Sequence, residues 1–127
     1  MNVMDPAEWQ RATEHALRER DRRLRRRLLA ALFDCRTSPS GWTGALKLRD
    51  MADNASSAEE ERFQTELHCV ALLRDLATKG LAEERRKAQK RGQVFGLRHL
   101  KYRILAAGLD LHLEAAPPDP LIDDDRV

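Results

Sequence analysis

The longest uninterrupted helical pattern in the chain most constrains its fold: residues 7–35 contain neither glycine nor proline. Asp5 and Pro6 precede this run and are typical of a helix start, because proline at the first helical position loses no needed backbone donor. The apolar residues of the run recur mostly at spacings of three, four and seven, which places them on one helical face. They are Trp9, Ala12, Ala16, Leu17, Leu24, Leu28, Ala31 and Leu32. The pattern predicts a long first helix, either continuous or interrupted near residues 19–22.

A high charged fraction limits the size of the core. The chain has 127 residues, which suits one small domain, and 35% of them are charged, against about 25% in an average globular protein. No apolar run approaches the ~18 residues of a membrane span, and the N-terminal residues lack a secretory-signal pattern, so we expect a cytoplasmic protein. Cys35 and Cys69 are too few for a disulfide scaffold, and both fall on apolar helix faces, where we expect buried thiols.

The charges are segregated along the chain, although the formal net charge is only +2. Residues 18–27 contain seven arginines against two acids, and residues 85–103 contain eight lysines and arginines and no acid. Residues 50–61 and 110–127 are acidic. A concentrated positive potential attracts polyanions even when the net charge is small, whereas a solvated surface is the alternative interpretation of each basic block.

The middle of the chain predicts two further helices. Residues 43–53 have the apolar spacing of a short second helix, and Trp42 stands in front of it as a packing anchor. A stronger apolar face follows and predicts a third helix. Its members are Cys69, Val70, Leu72, Leu73 and Leu76. The third helix starts either at Ser57, which with Glu60 resembles a capping box, or at Thr65, which also offers an N-cap hydroxyl.

After Gly80, which has the position of a left-handed helix cap, the pattern changes from helix to strand. Residues 81–86 predict a strand, and the basic, glycine-containing residues 87–96 predict an exposed hairpin loop. A second strand follows, because apolar and basic residues alternate there. These are Leu100, Lys101, Tyr102, Arg103 and Ile104. Residues 106–116 predict a last helix that a proline pair ends, and the acidic residues 121–127 predict disorder.

Two stretches in this order of elements resemble the winged helix-turn-helix superfamily. Residues 72–81, LLRDLATKGL, resemble the end of a recognition helix, where the pattern L-x-x-L-x-x-x-G-L-[VI] leads into the wing. Residues 100–111, LKYRILAAGLDL, are similar to the pattern Y-x-L-T-x-x-G-x-x-L that closes the wing in PadR-, MarR- and HxlR-like regulators. Ala82 stands where the family prefers valine or isoleucine, and Leu105 where it usually has threonine.

The resemblance implies a mostly helical fold with a small β-hairpin, in the order α-α-α-β-β-α. Residues 24–116 would form the winged-helix domain, residues 1–23 an N-terminal helical extension, and residues 117–127 an acidic, disordered tail. The tail is also a candidate to fold over the basic hairpin, because the two segments carry opposite charges.

The resemblance further implies a transcriptional regulator, similar to small phage-encoded ones, that binds double-stranded DNA as a homodimer through its first and last helices. A recognition helix enters the major groove with its polar face outward. The outward residues of the third helix would be Gln64, Glu66, His68, Ala71, Arg74 and Asp75. Gln64 and His68 are candidates to read base edges, and Arg74 to contact phosphate or guanine. The candidates for phosphate or minor-groove contacts in the hairpin are Arg85, Arg86, Lys87, Lys90, Arg91 and Arg98.

Two other functions stay open. A winged-helix module for protein–protein contact, such as a phage assembly or host-takeover factor, is favoured by the acidic residues 50–61 and the acidic tail. An all-helical bundle whose arginine-rich helix binds RNA requires residues 81–104 to be helical, which the propensity of residues 87–91 allows. The sequence has no catalytic, metal-binding or cofactor-binding spacing, so we expect no enzyme activity, no metal and no cofactor. Trp9 and Trp42 are expected to be packing anchors.

Overall fold

The computed structural model describes residues 5–55, 62–86 and 99–123. Within these ranges the elements run α1 (Pro6–Asp34), β1 (Thr43–Gly44), α2 (Ala45–Asn54), α3 (Glu66–Thr78), β2 (Ala82–Arg86), β3 (Leu100–Ile104) and α4 (Ala106–His112). The prediction of a mostly helical chain with a small β component is confirmed. The all-helical alternative is wrong, because residues 82–86 and 100–104 are paired strands. Among the described residues, no helix combines the length and apolarity needed to cross a membrane.

Helix α1 is continuous over 29 residues, so the first of the two predicted alternatives is confirmed and there is no interruption near residues 19–22. Arginine and glutamate are good helix formers, and the run has no glycine or proline to break it. Its apolar stripe is nevertheless divided in two. Residues 5–18 are all exposed, whereas Leu24 and Leu28 are fully buried. Trp9 is 64% exposed, so its prediction as a packing anchor is wrong.

The core forms where α1, α2 and α3 meet the sheet. Its largest fully buried side chains are Tyr102, Leu24, Leu28, Leu29, Leu32, Leu48, Leu73, Leu76, Leu100 and Cys69. The predicted core face of α3 is confirmed, and so is the burial of Cys69. Cys35 is half-buried and packs against the same core.

The two ends of α3 follow local sequence signals. Thr65 is the N-cap, and its hydroxyl accepts a hydrogen bond from the backbone N–H of His68 at 3.0 Å. The helix therefore starts at the second of the two predicted positions, while Ser57 lies outside the described residues. Gly80 has φ +80°, and Leu81 N donates to Leu76 O at 3.0 Å, which closes the helix as predicted.

The three strands form an antiparallel sheet in the order β1-β3-β2. Leu100 and Tyr102 are completely buried and alternate with Lys101 and Arg103, which confirms the predicted period of two. Strand β1 was not predicted, because residues 43–44 were assigned to the second helix. They pair with β3, and α2 starts at Ala45. Strand β1 forms because it pairs with β3, which is distant in sequence, so no local sequence pattern predicts it.

Helix α4 ends at His112, four residues before the predicted end at residue 116. Glu114 adopts the left-handed conformation (φ 59°), and Ala115 N donates to Asp110 O at 2.7 Å. The chain thus turns before it reaches the proline pair. Gly108 fixes the position of α4, because a Cβ atom there would lie 2.2 Å from the backbone oxygen of Leu81.

The C-terminal segment packs against α1 rather than extending into solvent. Ile122 is only 3% exposed, Arg22 Nε donates to Pro120 O at 2.8 Å, and Arg25 Nη1 donates to Leu121 O at 3.3 Å. The expected disorder is therefore wrong for residues 121–123. The described part of the tail contacts Arg22, Arg25 and Arg26 of α1, and the basic residues 87–98 lie outside the described residues. The acidic composition of the tail predicts exposure to solvent, but its apolar residue Ile122 is buried in the core.

Candidate nucleic-acid interface

The exposed face of α3 is the first part of the candidate interface. Leu67, Ala71, Arg74 and Thr78 are exposed and follow one another at spacings of four, three and four, so they form a single stripe. Gln64 is exposed just before the helix. The predicted outward positions of Gln64, Ala71 and Arg74 are confirmed. Leu67, which is 68% exposed, belongs to this stripe and was not predicted.

His68 does not lie on this stripe, so its prediction as an outward, base-reading residue is wrong. Its Nδ1 atom accepts a hydrogen bond from the backbone N–H of Gln64 at 3.3 Å, and its Nε2 atom lies 2.8 Å from Asp21 Oδ1. Because Nδ1 is an acceptor, the ring proton belongs on Nε2, which donates to Asp21. The ring also meets Phe63 edge-on, with 5.8 Å between ring centroids. His68 therefore joins α3 to α1.

Asp75 also contacts α1. Arg25 Nε donates to Asp75 Oδ2 at 3.0 Å. Its side chain is 43% exposed at the border of the α3 stripe, so the predicted outward position is only partly correct, and its charge is paired with Arg25. Glu66 is exposed as predicted, and its carboxylate lies 3.9 Å from the guanidinium of Arg49.

Arg74 is held in place by a carboxylate that the sequence analysis missed. Its Nε donates to Glu84 Oε2 at 3.1 Å, and the Tyr102 hydroxyl donates to the same oxygen at 2.6 Å. The hydrogen bond with Glu84 raises the pKa of Arg74. Burial, and then the same carboxylate, raise the pKa of Tyr102, so the phenol stays protonated and remains a donor. Arg74 keeps 46% of its side chain exposed.

An open groove of about 340 Å³ separates α3 from β2. It is lined by Arg74, Ala77, Thr78, Glu84 and Arg86. Two predicted contact residues, Arg74 and Arg86, thus come from different elements and lie at one groove. Their guanidinium groups and the Thr78 hydroxyl can donate hydrogen bonds to phosphate oxygens.

Arg85 points to the opposite side of the sheet. Its guanidinium carbon lies 4.5 Å from the centroid of the Trp42 ring, and that of Arg103 lies 4.7 Å from the same centroid. Trp42 is half-buried and stacks with these cations, so it is not the core anchor that the sequence predicted. Alternation along β2 separates Arg85 from Arg86 and divides the predicted contact set between two faces.

The remaining predicted hairpin residues, Lys87, Lys90, Arg91 and Arg98, lie outside the described residues. The described strand β2 ends at Arg86 and leads directly into them. Of the six predicted contact residues of the hairpin, Arg85 and Arg86 are described, and both are exposed.

The arginine block of α1 is engaged with other parts of the protein. Arg22 and Arg25 bind carbonyl oxygens of the C-terminal segment, Arg26 forms an ion pair with Asp123, and Arg25 also binds Asp75. These contacts tie α1 to the C-terminal segment and to α3, which the charge pattern alone did not predict.

The described part of the chain contains no group of three or more His, Cys, Asp or Glu side chains placed to hold a metal ion. The two thiols belong to the core region. Burial raises the pKa of Cys69 to about 12, and Cys35 Sγ lies 3.5 Å from Met51 Sδ. In comparisons with known proteins, no family model, no curated protein and no solved structure matches this chain.

Proposed function

We propose that the protein is a winged-helix protein that binds double-stranded DNA. The order α1-β1-α2-α3-β2-β3-α4 supports this fold, because a three-helix body followed by a two-stranded wing is the arrangement of that superfamily. Strand β1 pairs with β3 on the side opposite β2, so the sheet extends beyond the two-stranded wing. In this assignment α3 is the recognition helix and the hairpin of β2 and β3 is the wing.

One observation carries the DNA-binding proposal: Arg74 of α3 and Arg86 of β2 line one open groove. Residues 87–98, which follow β2 in the sequence, hold four more lysines and arginines and no acid. Guanidinium groups bind phosphate oxygens through charge-assisted hydrogen bonds, and each neutralised phosphate releases counterions. We therefore assign most of the affinity to the wing and the groove.

Helix α3 contributes shape and few polar contacts in this proposal. Gln64 can bond to a base edge, whereas Leu67 and Ala71 offer only apolar contacts, which suit thymine methyl groups in the major groove. The protein would act as a transcriptional regulator in the cytoplasm, without catalysis and without a cofactor.

A homodimer is part of the proposal. Trp9 and Leu17 are eight residues apart on α1 and are 64% and 45% exposed. They lie in the N-terminal half of the helix, where every residue from 5 to 18 is exposed. A second copy of this helix would cover the apolar stripe, and a two-fold dimer would bind a two-fold DNA site.

Neutralising the basic segment tests the proposal. Lys87, Lys90, Arg91 and Arg98 are replaced together by glutamine, and binding to a fluorescently labelled mixed-sequence duplex is measured by anisotropy at low salt. We expect a loss of affinity of ~10²-fold or more, because several phosphate contacts disappear at once. Unchanged affinity of the variant would contradict the proposal.

A protein-binding module is the second candidate function, and the exposure of Leu67 favours it. A partner that packs on the exposed face of α3 would cover Leu67, whose side chain is 68% exposed, and would gain the free energy of burying it. Leu67→Ser distinguishes the two functions. A protein-binding module loses a nuclease-resistant, stoichiometric partner in a pull-down, whereas a DNA-binding protein keeps most of its affinity for the duplex.

A further inference from the structure

The outer face of the sheet carries a cluster of cations that the packing of the protein does not require. Along β3, Leu100 and Tyr102 face the core, so Lys101 and Arg103 face outward, and Glu83 and Arg85 of β2 share that side. Trp42 stacks with Arg85 and Arg103 there. We call this surface, formed by Trp42, Gly44, Glu83, Arg85, Lys101 and Arg103, the outer sheet face.

Two of its three cations form an unfavourable pair. Arg85 and Lys101 are directly opposite each other across β2 and β3. Like charges in this position destabilise a sheet. The one acid on the face, Glu83, is engaged by Arg103, whose Nε and Nη2 donate to Glu83 Oε2 at 3.0 and 2.7 Å. Among the described residues, the repulsion between Arg85 and Lys101 is therefore not offset by a carboxylate.

The backbone beside Lys101 is bare on the side of β1. Strand β3 is the middle strand, so Lys101 lies between Arg85 on β2 and Gly44 on β1. A Cβ atom at Gly44 would meet nothing within 4 Å. A bare backbone beside a central cation lets a ligand come close to the sheet. Trp42 holds the guanidinium groups of Arg85 and Arg103 against its ring, which reduces the entropy lost when they bind.

We propose that the outer sheet face is a second anion-binding surface, which holds the phosphodiester backbone of the same DNA that the groove between α3 and β2 contacts. This inference rests on the proposed function. A polyanion is favoured over a short acidic peptide because Arg85 and Arg86 are neighbours in β2 and serve opposite sides of the sheet. Duplex DNA offers phosphates over a long surface, and a phosphate between Arg85 and Lys101 relieves their repulsion.

Salt titration of a double variant tests the surface. The test variant combines Arg85→Gln and Lys101→Gln. The control variant combines Arg11→Gln and Arg18→Gln, which removes the same charge from the exposed half of α1. Binding of the full chain to a labelled mixed-sequence duplex is followed by anisotropy. We expect the slope of log affinity against log salt to become shallower by about two, since each phosphate contact contributes about 0.9. Affinity at ~0.1 M salt should fall roughly fiftyfold. The control should change the slope by less than half as much.

Tryptophan fluorescence distinguishes phosphate binding by Arg85 and Arg103 from a purely structural role of these residues, which would leave the emission unchanged when DNA is added. Trp9→Phe leaves Trp42 as the only indole, and Trp42→Phe leaves only Trp9 on α1. When duplex DNA is added, we expect the emission of Trp42 to change at saturation, because its stacked guanidinium groups bind phosphate. The emission of Trp9 should stay constant. Saturation of the duplex without any change in Trp42 emission would overturn the assignment.

The outcomes separate this inference from the proposed function. If the wild type binds the duplex and the Arg85, Lys101 double variant keeps its slope, the outer sheet face is not a phosphate site, while the groove assignment stands. If the wild type shows no salt-dependent binding to the duplex, both proposals fail. Binding to labelled poly-glutamate that requires Arg85 and Lys101, without binding to the duplex, would instead assign the face to an acidic protein partner.

Discussion

Glu84 is the residue that links the groove to the core. It accepts hydrogen bonds from Arg74 of α3 and from Tyr102 of β3 at a single carboxylate oxygen. The side chain of Glu84 is 19% exposed, so its charge is compensated largely by these two donors. The position of Arg74, and with it one wall of the groove, depends on this arrangement.

Replacing Tyr102 by phenylalanine removes one donor and leaves the ring in the core. We expect the free energy of unfolding to fall by ~2 kcal/mol, because a hydrogen bond to a charged group contributes more than one between neutral groups. Urea denaturation of both proteins at neutral pH measures the difference. A variant as stable as the wild type would show that the Glu84 carboxylate does not depend on the Tyr102 hydroxyl.

The buried thiol of Cys69 makes the protein sensitive to alkali. Its pKa is raised from 9.0 to about 12 by burial, so above pH 9 the unfolded chain loses a proton that the folded chain keeps. A group with this shift lowers stability as pH rises, with a limiting slope of about 1.4 kcal/mol per pH unit. We expect the free energy of unfolding of Cys69→Ala to decline less steeply than that of the wild type between pH 9 and 10. Cys35→Ala keeps Cys69 and should keep the decline; equal slopes for all three would contradict this account.

The residues of the interface show which side-chain positions a sequence pattern determines. Helical spacing correctly placed Gln64, Ala71 and Arg74 outward, because α3 has the predicted axis and core face. It failed for His68 and was only partly correct for Asp75, and both lie at the borders of that face. Their orientation is decided by Asp21 and Arg25 of α1, about 50 residues away in the chain.

The helices and strands that depend on neighbouring residues are predicted correctly from the sequence, whereas those that depend on distant residues are not. The Thr65 cap, the Gly80 cap and the alternation in β3 were all predicted, because each is set by neighbours in sequence. Strand β1 and the docking of the C-terminal segment depend on β3 and α1, which are distant in sequence. The hairpin loop of residues 87–96 stays a prediction.

The contact between α4 and the turn after α3 is tight at Gly108. A Cβ atom there would lie 2.2 Å from Leu81 O and 2.9 Å from Ile104 Cγ1. We expect Gly108→Ala to destabilise the protein by ~2 kcal/mol or more, because a backbone carbonyl cannot move aside cheaply. Gly44→Ala is the matched control, since its added Cβ meets nothing within 4 Å. Thermal denaturation compares the two, and an equal loss in both variants would argue against close packing of α4.

The C-terminal segment contributes to stability through Ile122. Its side chain is 3% exposed and lies in the core cluster. We expect Ile122→Ala to lower the free energy of unfolding by ~2 kcal/mol or more, as for other buried isoleucines. Guanidinium chloride titration measures this. If Ile122→Ala matches the wild type, the segment does not belong to the folded unit.

At the scale of the whole molecule, the exposed half of α1 sets the expected assembly. Trp9 and Leu17 have no partner within the described chain that covers them. Replacing Trp9 by aspartate puts a charge on the apolar stripe and should convert the proposed dimer into a monomer. Sedimentation equilibrium of wild type and variant at equal concentrations shows the change. A wild type that is monomeric throughout would remove the dimer from the account.

We propose above all that the protein presents its basic wing and groove to duplex DNA. The most direct test is the affinity of the wild-type protein for a mixed-sequence duplex, measured from about 50 to 200 mM salt. With about six phosphates neutralised, the affinity should fall by ~10³-fold or more across that range. Absence of binding at the lowest salt, or an affinity that does not change with salt, would contradict the claim.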